Sequence, residues 1–140
     1  MLIDVHTHIG AYKDVKVKGI WGQITVERLL EYLNTWAIDR AVVLPVESPD
    51  TAAREGYFVP TGHVLEVCNS FPDRLIPFCH VDPRDPDFLQ KIRRFVGLGC
   101  RGFGKHKVEL RVDDPRSQEI YRLCGKLEAP VLLHMDDIYN

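Results

Sequence analysis

The sequence predicts an α/β fold of repeated βα units around a parallel sheet. Short apolar runs rich in β-branched residues alternate along the chain with amphipathic stretches of helical periodicity. Parallel sheets covered by helices produce this pattern. The histidines agree with it, because five of the six lie at predicted strand ends, where ligands bind in parallel α/β proteins. At 140 residues the chain is long enough for one domain, which we assign to residues 1–140.

The alternation resolves into five strands and four helices. The predicted strands are Leu2–His8, Ala41–Pro45, Leu75–His80, Cys100–His106 and Pro130–His134. The predicted helices run over 25–36, 62–71, 85–97 and 114–127. The second strand is apolar throughout, as expected of a parallel strand with helices on both faces. The segments 10–23 and 48–61 are predicted loops, and the second is either an active-site loop or an exposed excursion.

Capping signals mark the ends of several helices. Thr25 can begin the first helix, because its hydroxyl can accept a hydrogen bond from the first turn. Asp85-Pro86 and Asp114-Pro115 each pair a capping carboxylate with a proline suited to the first helical position. They predict the starts of the third and fourth helices, and Gly97 marks the end of the third.

Composition restricts the partners and the compartment. The formal net charge is −2, so neither nucleic acid nor an anionic membrane is an expected partner. No apolar stretch approaches the ~18 residues of a transmembrane helix, and the N-terminus lacks the pattern of a signal peptide. We therefore expect a cytoplasmic protein that acts on a small-molecule substrate. The four cysteines are scattered without a C-x-x-C pair, which predicts reduced, packed thiols.

The first strand runs into Asp4-Val-His6-Thr-His8. Residues two apart on a regular strand point to the same side, so alternation places Asp4, His6 and His8 on one face. The Cα atoms of the two histidines then lie about 7 Å apart, within reach of one ion at Zn–N distances of about 2 Å. The fifth strand is a second short apolar run that ends in histidine, His134. These features predict a metal site at the strand ends, where Asp4 orients an imidazole rather than binding the ion.

Other strand ends carry side chains suited to a substrate. His80 and His106 follow the third and fourth strands, and each either contacts substrate or makes structural hydrogen bonds. Lys105 binds a substrate anion, bridges two metal ions as a carboxylated lysine, or packs between its flanking glycines. Glu47 is interpreted as a carboxylate at the rim of the site.

Six segments in order resemble one known family. They are Ile3–His8, Ile38–Pro45, Phe71–Phe78, Val81–Pro83, Gly99–His106 and Ala129–His134. Each piece is weak alone, but their order and spacing make the match specific over nearly the whole chain. The chain is similar to the amidohydrolase superfamily, and specifically to the amidohydrolase-related group of metal-dependent decarboxylases and hydrolases.

The resemblance implies a metal-bearing (β/α)8 barrel of the TIM-barrel type, incomplete in this chain. It carries the family's His-x-His ligands onto His6 and His8, and its strand-five ligand onto His134. The family also uses a histidine after strand six and an aspartate after strand eight, which have no counterpart here, so the catalytic acid/base is unassigned. A typical barrel has ~250 residues, and five strands leave an open edge. We expect the N-terminal part of a longer enzyme, a homo-oligomer that closes the barrel, or a short form with its own arrangement.

The expected function is metal-dependent hydrolysis or non-oxidative decarboxylation of a small carboxylate, amide or lactone. The expected cofactor is a divalent ion, Zn²⁺ in the first instance, which lowers the pKa of a bound water to about 7. Its expected ligands are His6, His8 and His134, and the expected substrate-binding residues are Lys105, His106 and His80. The alternative is a truncated half-barrel that binds metal or a partner without catalysis. A phosphoesterase of the polymerase-and-histidinol-phosphatase type also opens with a His-x-His strand, but the other segments fit it poorly.

Overall fold

A computed structural model describes residues 1–11, 23–50 and 58–134. Its strands are β1 Ile3–Thr7, β2 Gly10–Ala11, β3 Gln23–Ile24, β4 Arg40–Val43, β5 Leu75–Pro77, β6 Phe103–His106 and β7 Val131–Leu133. Its helices are α1 Val26–Thr35, α2 Thr61–Ser70, α3 Phe88–Gly97 and α4 Pro115–Lys126. Much of the predicted loops 10–23 and 48–61 lies outside the described residues.

The five predicted strands are all present, and neighbouring strands run parallel. β1, β4 and β5 form one sheet in that order, and β6 pairs with β7. An isolated parallel bridge between Cys79 and Phe103 joins the two groups, with backbone hydrogen bonds of 2.9 and 2.8 Å around it. Each parallel strand therefore lies beside the next one along the chain, separated from it in sequence by a helix. This is the progression of a (β/α) barrel, and it confirms the predicted α/β architecture.

Two apolar clusters hold the helices against the outer side of the strands. One packs α1 and α2 on β4 through residues that include Leu33, Val43 and Val64. The other packs α3 and α4 on β6 through Ile92, Phe103 and Ile120, among others. All four cysteines are free and buried, which confirms their predicted role as packed thiols.

A smaller apolar cluster lines the opposite, inner side of the strands. Val42, Leu44 and Phe78 form it, and Ile3, Ile76 and Leu132 pack against it. Gly102 lies so close to the Phe78 ring that no Cβ fits between them. The inner side is therefore packed with side chains below the strand ends, as in a barrel interior.

Two of the three predicted helix starts are confirmed. The Thr25 hydroxyl accepts a hydrogen bond from the Arg28 N–H at 3.3 Å, and the Asp114 carboxylate accepts one from Arg116 at 2.9 Å, with Pro115 at the helix start. Both capping groups satisfy an N–H that has no partner within the helix.

The predicted start of α3 at Asp85-Pro86 is wrong. The helix begins at Phe88, and its cap residue Asp87 makes no side-chain cap bond. Backbone bonds from Asp85 to Asp82 and from Phe88 to Asp85 form turns across this stretch instead. The Asp85 carboxylate instead forms a salt bridge with the Lys91 ammonium at 3.0 Å and does not cap the helix. Among the described helices, none has the length and apolar character needed to cross a membrane.

Candidate functional site

The His6 and His8 rings lie together at the carboxyl end of β1. Their centroids are 5.2 Å apart and the ring planes are inclined at 71°. This spacing lets one nitrogen of each ring approach a common ion at about 2 Å. The pair is thus brought together as the sequence predicts.

The two-residue alternation of β1 is interrupted before it reaches this pair. Asp4 pairs with Ala41 and Thr7 with Val43, so three steps on β1 correspond to two on β4. Ala41 and Val43 belong to the cluster beneath the helices, so the register places Asp4 on the outer side of the strand. Asp4, His6 and His8 nevertheless all border one groove that α1 side chains also line. The Asp4 carboxylate accepts the His6 backbone N–H at 2.9 Å. The expectation that Asp4 shares a regular strand face with both histidines is therefore wrong, because the irregularity shifts its register.

His8 is held in a fixed orientation. Its Nδ1 lies 2.9 Å from the Leu44 carbonyl oxygen, and because a carbonyl only accepts, Nδ1 carries the proton and the lone pair is on Nε2. Burial, with a smaller contribution from the Lys105 charge, lowers the pKa of His8 to about 3. A neutral imidazole with one nitrogen fixed by a carbonyl is the form in which histidine usually binds a metal ion.

His6 is more exposed than His8 but is also biased towards the neutral form. Burial and then the Lys105 charge lower its pKa, and the Asp4 carboxylate opposes this shift. Both histidines of the pair are thus available as neutral ligands, which fits the donor chemistry of a divalent metal site.

His134 lies directly after β7 and near the pair. Its backbone N–H donates to the His106 carbonyl at 3.3 Å, and its charge is close enough to contribute to the lowered pKa of His8. However, among the described residues no three histidine, cysteine or acidic side chains are arranged to hold a metal ion. The structure therefore brings His134 to the neighbourhood of the pair without assembling a three-ligand site.

His80 and His106 form a second, buried histidine pair. Their ring centroids are 6.3 Å apart, and the Phe103 ring contacts both, at 5.7 Å from His80 and 5.5 Å from His106. His106 Nε2 lies 3.1 Å from the Ser117 hydroxyl on α4, which places this ring against the helix layer. Burial lowers the pKa of His80 to about 3 and that of His106 to about 4.

Lys105 lies close enough to both histidine pairs to influence their charge state. Its charge lowers the pKa of His6, His8 and His80 alike, so the ammonium is electrostatically coupled to both. A cation in this position favours an anionic ligand.

A small cavity, too narrow for a water molecule in this arrangement of side chains, lies beside Lys105 at the ends of β4 and β6. We name it the Ser48 cavity. Its lining consists of Pro45, Val46, Glu47, Ser48, His80, Lys105 and Lys107. Glu47 accepts the Thr61 backbone N–H at the start of α2, and burial raises the pKa of its carboxyl. The Thr61 hydroxyl in turn accepts a hydrogen bond from the backbone N–H of His80 at 3.1 Å. The sequence predicts Glu47 at the rim of the site but predicts no role for Ser48 or Thr61. The only sequence signal for these two residues is their position at the ends of a predicted loop.

An ion-pair network ties the loops around this region together. The Arg84 guanidinium binds Asp82 at 2.6 Å and Asp50 at 2.7 Å, and Asp50 also accepts the Glu109 backbone N–H at 3.3 Å. Burial acts to raise the pKa of Asp82, but the hydrogen bonds from Arg84 more than offset it and hold the pKa below its usual value. The segments that follow β4, β5 and β6 are thereby cross-linked near the candidate site.

The fold and the histidine pair can be compared with known proteins. A sequence model of the family described as Amidohydrolase matches residues 3–138. The chain belongs to the amidohydrolase family. No curated protein matches it.

Solved structures support the barrel assignment of this amidohydrolase-family chain. A probable 2-pyrone-4,6-dicarboxylic acid hydrolase from Acinetobacter baumannii is 18% identical, with TM-score 0.63 over 99% of this chain and 51% of that one. 2,6-Dihydroxybenzoate decarboxylase from Rhizobium is 18% identical, with TM-score 0.68 over 96% and 50%.

A third similar structure contains a metal ion. 5-Carboxyvanillate decarboxylase from Novosphingobium aromaticivorans, a structure with bound manganese, is 18% identical, with TM-score 0.68 over 94% of this chain and 49% of that one. The chain spans about half the length of these structures. At this identity they show the fold, which is that of a partial (β/α)8 barrel.

Proposed function

We propose that this chain carries the N-terminal metal-binding part of an enzyme that hydrolyses or decarboxylates a small carboxylate, amide or lactone. Membership of the amidohydrolase family supports a metal-dependent hydrolase or decarboxylase in general. The observation that carries the proposal for this chain is the His6–His8 pair, with ring centroids 5.2 Å apart and His8 Nδ1 bonded to the Leu44 carbonyl.

We propose His6, His8 and His134 as the ligands of a divalent ion. Zn²⁺ suits imidazole ligands, and Mn²⁺ is the second candidate because the decarboxylase from Novosphingobium aromaticivorans binds it. When bound, such an ion supplies a water of lowered pKa and polarises a carbonyl or carboxylate. The chain's own contribution is to hold His8 neutral and oriented before the ion arrives, so that little reorganisation is needed.

Lys105, His80 and His106 are the proposed substrate-binding residues. The Lys105 ammonium is coupled to the His6–His8 pair, so it would attract an anionic substrate towards the metal. His80 would contact the substrate from the buried side, and His106 would act mainly by supporting His80, because its Nε2 is already bonded to Ser117.

The experiment that tests the metal assignment is native mass spectrometry of the full chain with Zn²⁺ or Mn²⁺. One ion per chain is expected, and the double variant His6→Ala/His8→Ala should bind none. His63→Ala, on the exposed side of α2, is the matched control and should retain the ion. The single variant His6→Gln keeps the buried His8 in place and should weaken metal binding without affecting the circular dichroism spectrum. Retention of one ion by the double variant would refute the assignment.

A second candidate function is a half-barrel that binds metal or a partner without catalysis. It is favoured by apolar exposure on the two outer strands, where Val5 is 56% and Leu133 41% exposed. A second copy of the chain, or further polypeptide, would cover these strands. Metal-dependent turnover of any carboxylate, amide or lactone by the 140-residue chain would exclude this candidate.

A further inference from the structure

The irregularity in β1 is a β-bulge that lies within the histidine motif. Three steps along β1 correspond to two along β4 between Asp4 and Thr7, so β1 contains one extra residue over this stretch. In a regular parallel ladder that continued from Asp4, the backbone N–H of His6 would donate to the Val42 carbonyl. The bulge replaces that pairing.

The bulge also reverses the sides to which the following side chains point. Before it, the register places Asp4 on the side of the helices. After it, Thr7 and Ile9 are the buried residues on that side, 8% and 2% exposed, and Ile9 belongs to the cluster beneath the helices. Because side chains alternate along a strand, His6 and His8 then point to the inner side. A regular β1 would instead direct both rings towards the helices.

Two side chains bond the backbone groups that would pair with each other in a regular ladder. The Asp4 carboxylate accepts the His6 backbone N–H at 2.9 Å, and the buried Thr7 hydroxyl donates to the Val42 carbonyl at 2.7 Å. The ladder continues beyond the bulge, where the Leu44 N–H donates to the Thr7 carbonyl at 2.9 Å. Unpaired backbone groups are costly, so these two side chains stabilise the bulge.

We propose that Asp4 and Thr7 are positioning residues for the histidine pair, because their side chains hold the bulge that turns His6 and His8 to the inner side of the strands. Both act through the backbone and neither is a ligand. With the bulge in place, the His8 Nδ1 lies 2.9 Å from the Leu44 carbonyl, which leaves Nε2 for an ion. The inference rests on the proposed function for the identity of the ligand, a divalent metal ion.

Paired substitutions separate the hydrogen bonds from side-chain size and charge. Asp4→Ala removes the acceptor, whereas Asp4→Asn keeps an oxygen that can accept. Thr7→Val removes the hydroxyl and keeps the branched shape, whereas Thr7→Ser keeps the hydroxyl. Zn²⁺ affinity of the full chain is measured by competition with a chelating dye. The Ala and Val variants should bind Zn²⁺ about 10–100-fold more weakly, and the Asn and Ser variants should bind it as the unmodified chain does.

A second measurement requires no metal. Nitrogen-15 NMR of the imidazole rings in the metal-free chain reports which nitrogen of His8 carries the proton. The unmodified chain should show the Nδ1–H form, because the Leu44 carbonyl accepts from it. Asp4→Ala and Thr7→Val should show a mixture of both forms. Val64→Ala, which alters the core beneath α2 and not β1, is the control for general destabilisation and should change neither readout.

The outcomes separate this inference from the metal assignment. Unchanged Zn²⁺ affinity and an unchanged proton position in Asp4→Ala and Thr7→Val would overturn it. An equal loss of affinity in the Asn and Ser variants would also overturn it, because the hydrogen bonds would not be the cause. If the unmodified chain binds no Zn²⁺, the metal assignment fails, and the proton position on His8 alone decides the role of Asp4 and Thr7. If Thr7→Val does not fold, the Asp4 variants, at a partly exposed position, decide it.

Discussion

The free energy of unfolding should fall steeply as the pH is lowered from about 7 to about 5, because of three buried histidines. Burial lowers the pKa of His8 and His80 to about 3, and that of His106 to about 4. In the unfolded chain a histidine has a pKa of about 6.5. Each folded-state pKa thus lies below the unfolded value, so the stability these groups contribute is present above about pH 6.5 and is lost as the pH falls towards the folded values.

The magnitude follows from the number of protons taken up on unfolding. At about pH 5 the three histidines are nearly all protonated when unfolded and nearly all neutral when folded, so unfolding takes up roughly three protons. The free energy of unfolding should then change by about 4 kcal/mol per pH unit. The slope decreases once the pH approaches the folded pKa values of about 3 to 4. A domain at the lower end of the typical range of about 5–15 kcal/mol would therefore unfold within about one to two pH units of that point.

The assay is urea denaturation at intervals across this pH range, with a chelator present so that no metal competes with protons for His8. Asp82 and Asp114, whose pKa values are lowered by hydrogen bonds from Arg84 and Arg116, remain ionised in both states here and add little to the slope. Glu47 changes the free energy of unfolding in the opposite direction as the pH falls. Burial raises the pKa of its carboxyl, so protonation of the folded chain adds stability as the pH falls.

Two variants separate proton uptake from simple loss of packing. His80→Gln removes one titrating group and should reduce the slope by about one third. Val64→Ala, in the core beneath α2, should lower the stability at every pH by about 1–3 kcal/mol and leave the slope unchanged. A slope below about 1.4 kcal/mol per pH unit, which corresponds to a single proton, would refute the conclusion that these three rings are buried and neutral.

Two further predictions concern the packing and capping that support the site. Gly102→Ala should lower the free energy of unfolding by about 1–3 kcal/mol, because the new Cβ would overlap the Phe78 ring. Gly125→Ala has open space around it and should instead raise the free energy of unfolding by up to about 1 kcal/mol. Urea denaturation of both variants distinguishes a loss of stability from a gain. Thr25→Ala should lower the free energy of unfolding by about 1 kcal/mol, because it removes the acceptor for the Arg28 N–H at the start of α1. An unchanged midpoint of thermal unfolding would contradict this capping role of Thr25.

The architecture could be predicted from the sequence because it depends on local, periodic signals. Apolar runs such as Ala41–Pro45 become parallel strands, since only a strand covered by helices tolerates an unbroken apolar stretch. The Asp114-Pro115 signal marks α4 correctly because both residues act within the first turn. The same signal fails at Asp85-Pro86, where Lys91, six residues further along the chain, competes for the carboxylate.

The sequence by itself determined the order of strands and helices, the His6–His8 pair at the end of β1 and membership of a recognisable family. These depend on residue spacing, which strand geometry converts directly into position. Only the tertiary structure decided that the register of β1 shifts beyond Asp4, that His106 bonds to α4 through Ser117, and that Ser48 and His80 share a cavity with Lys105. Such contacts join residues far apart in sequence, and they depend on burial and on competing hydrogen-bond partners that no local pattern encodes.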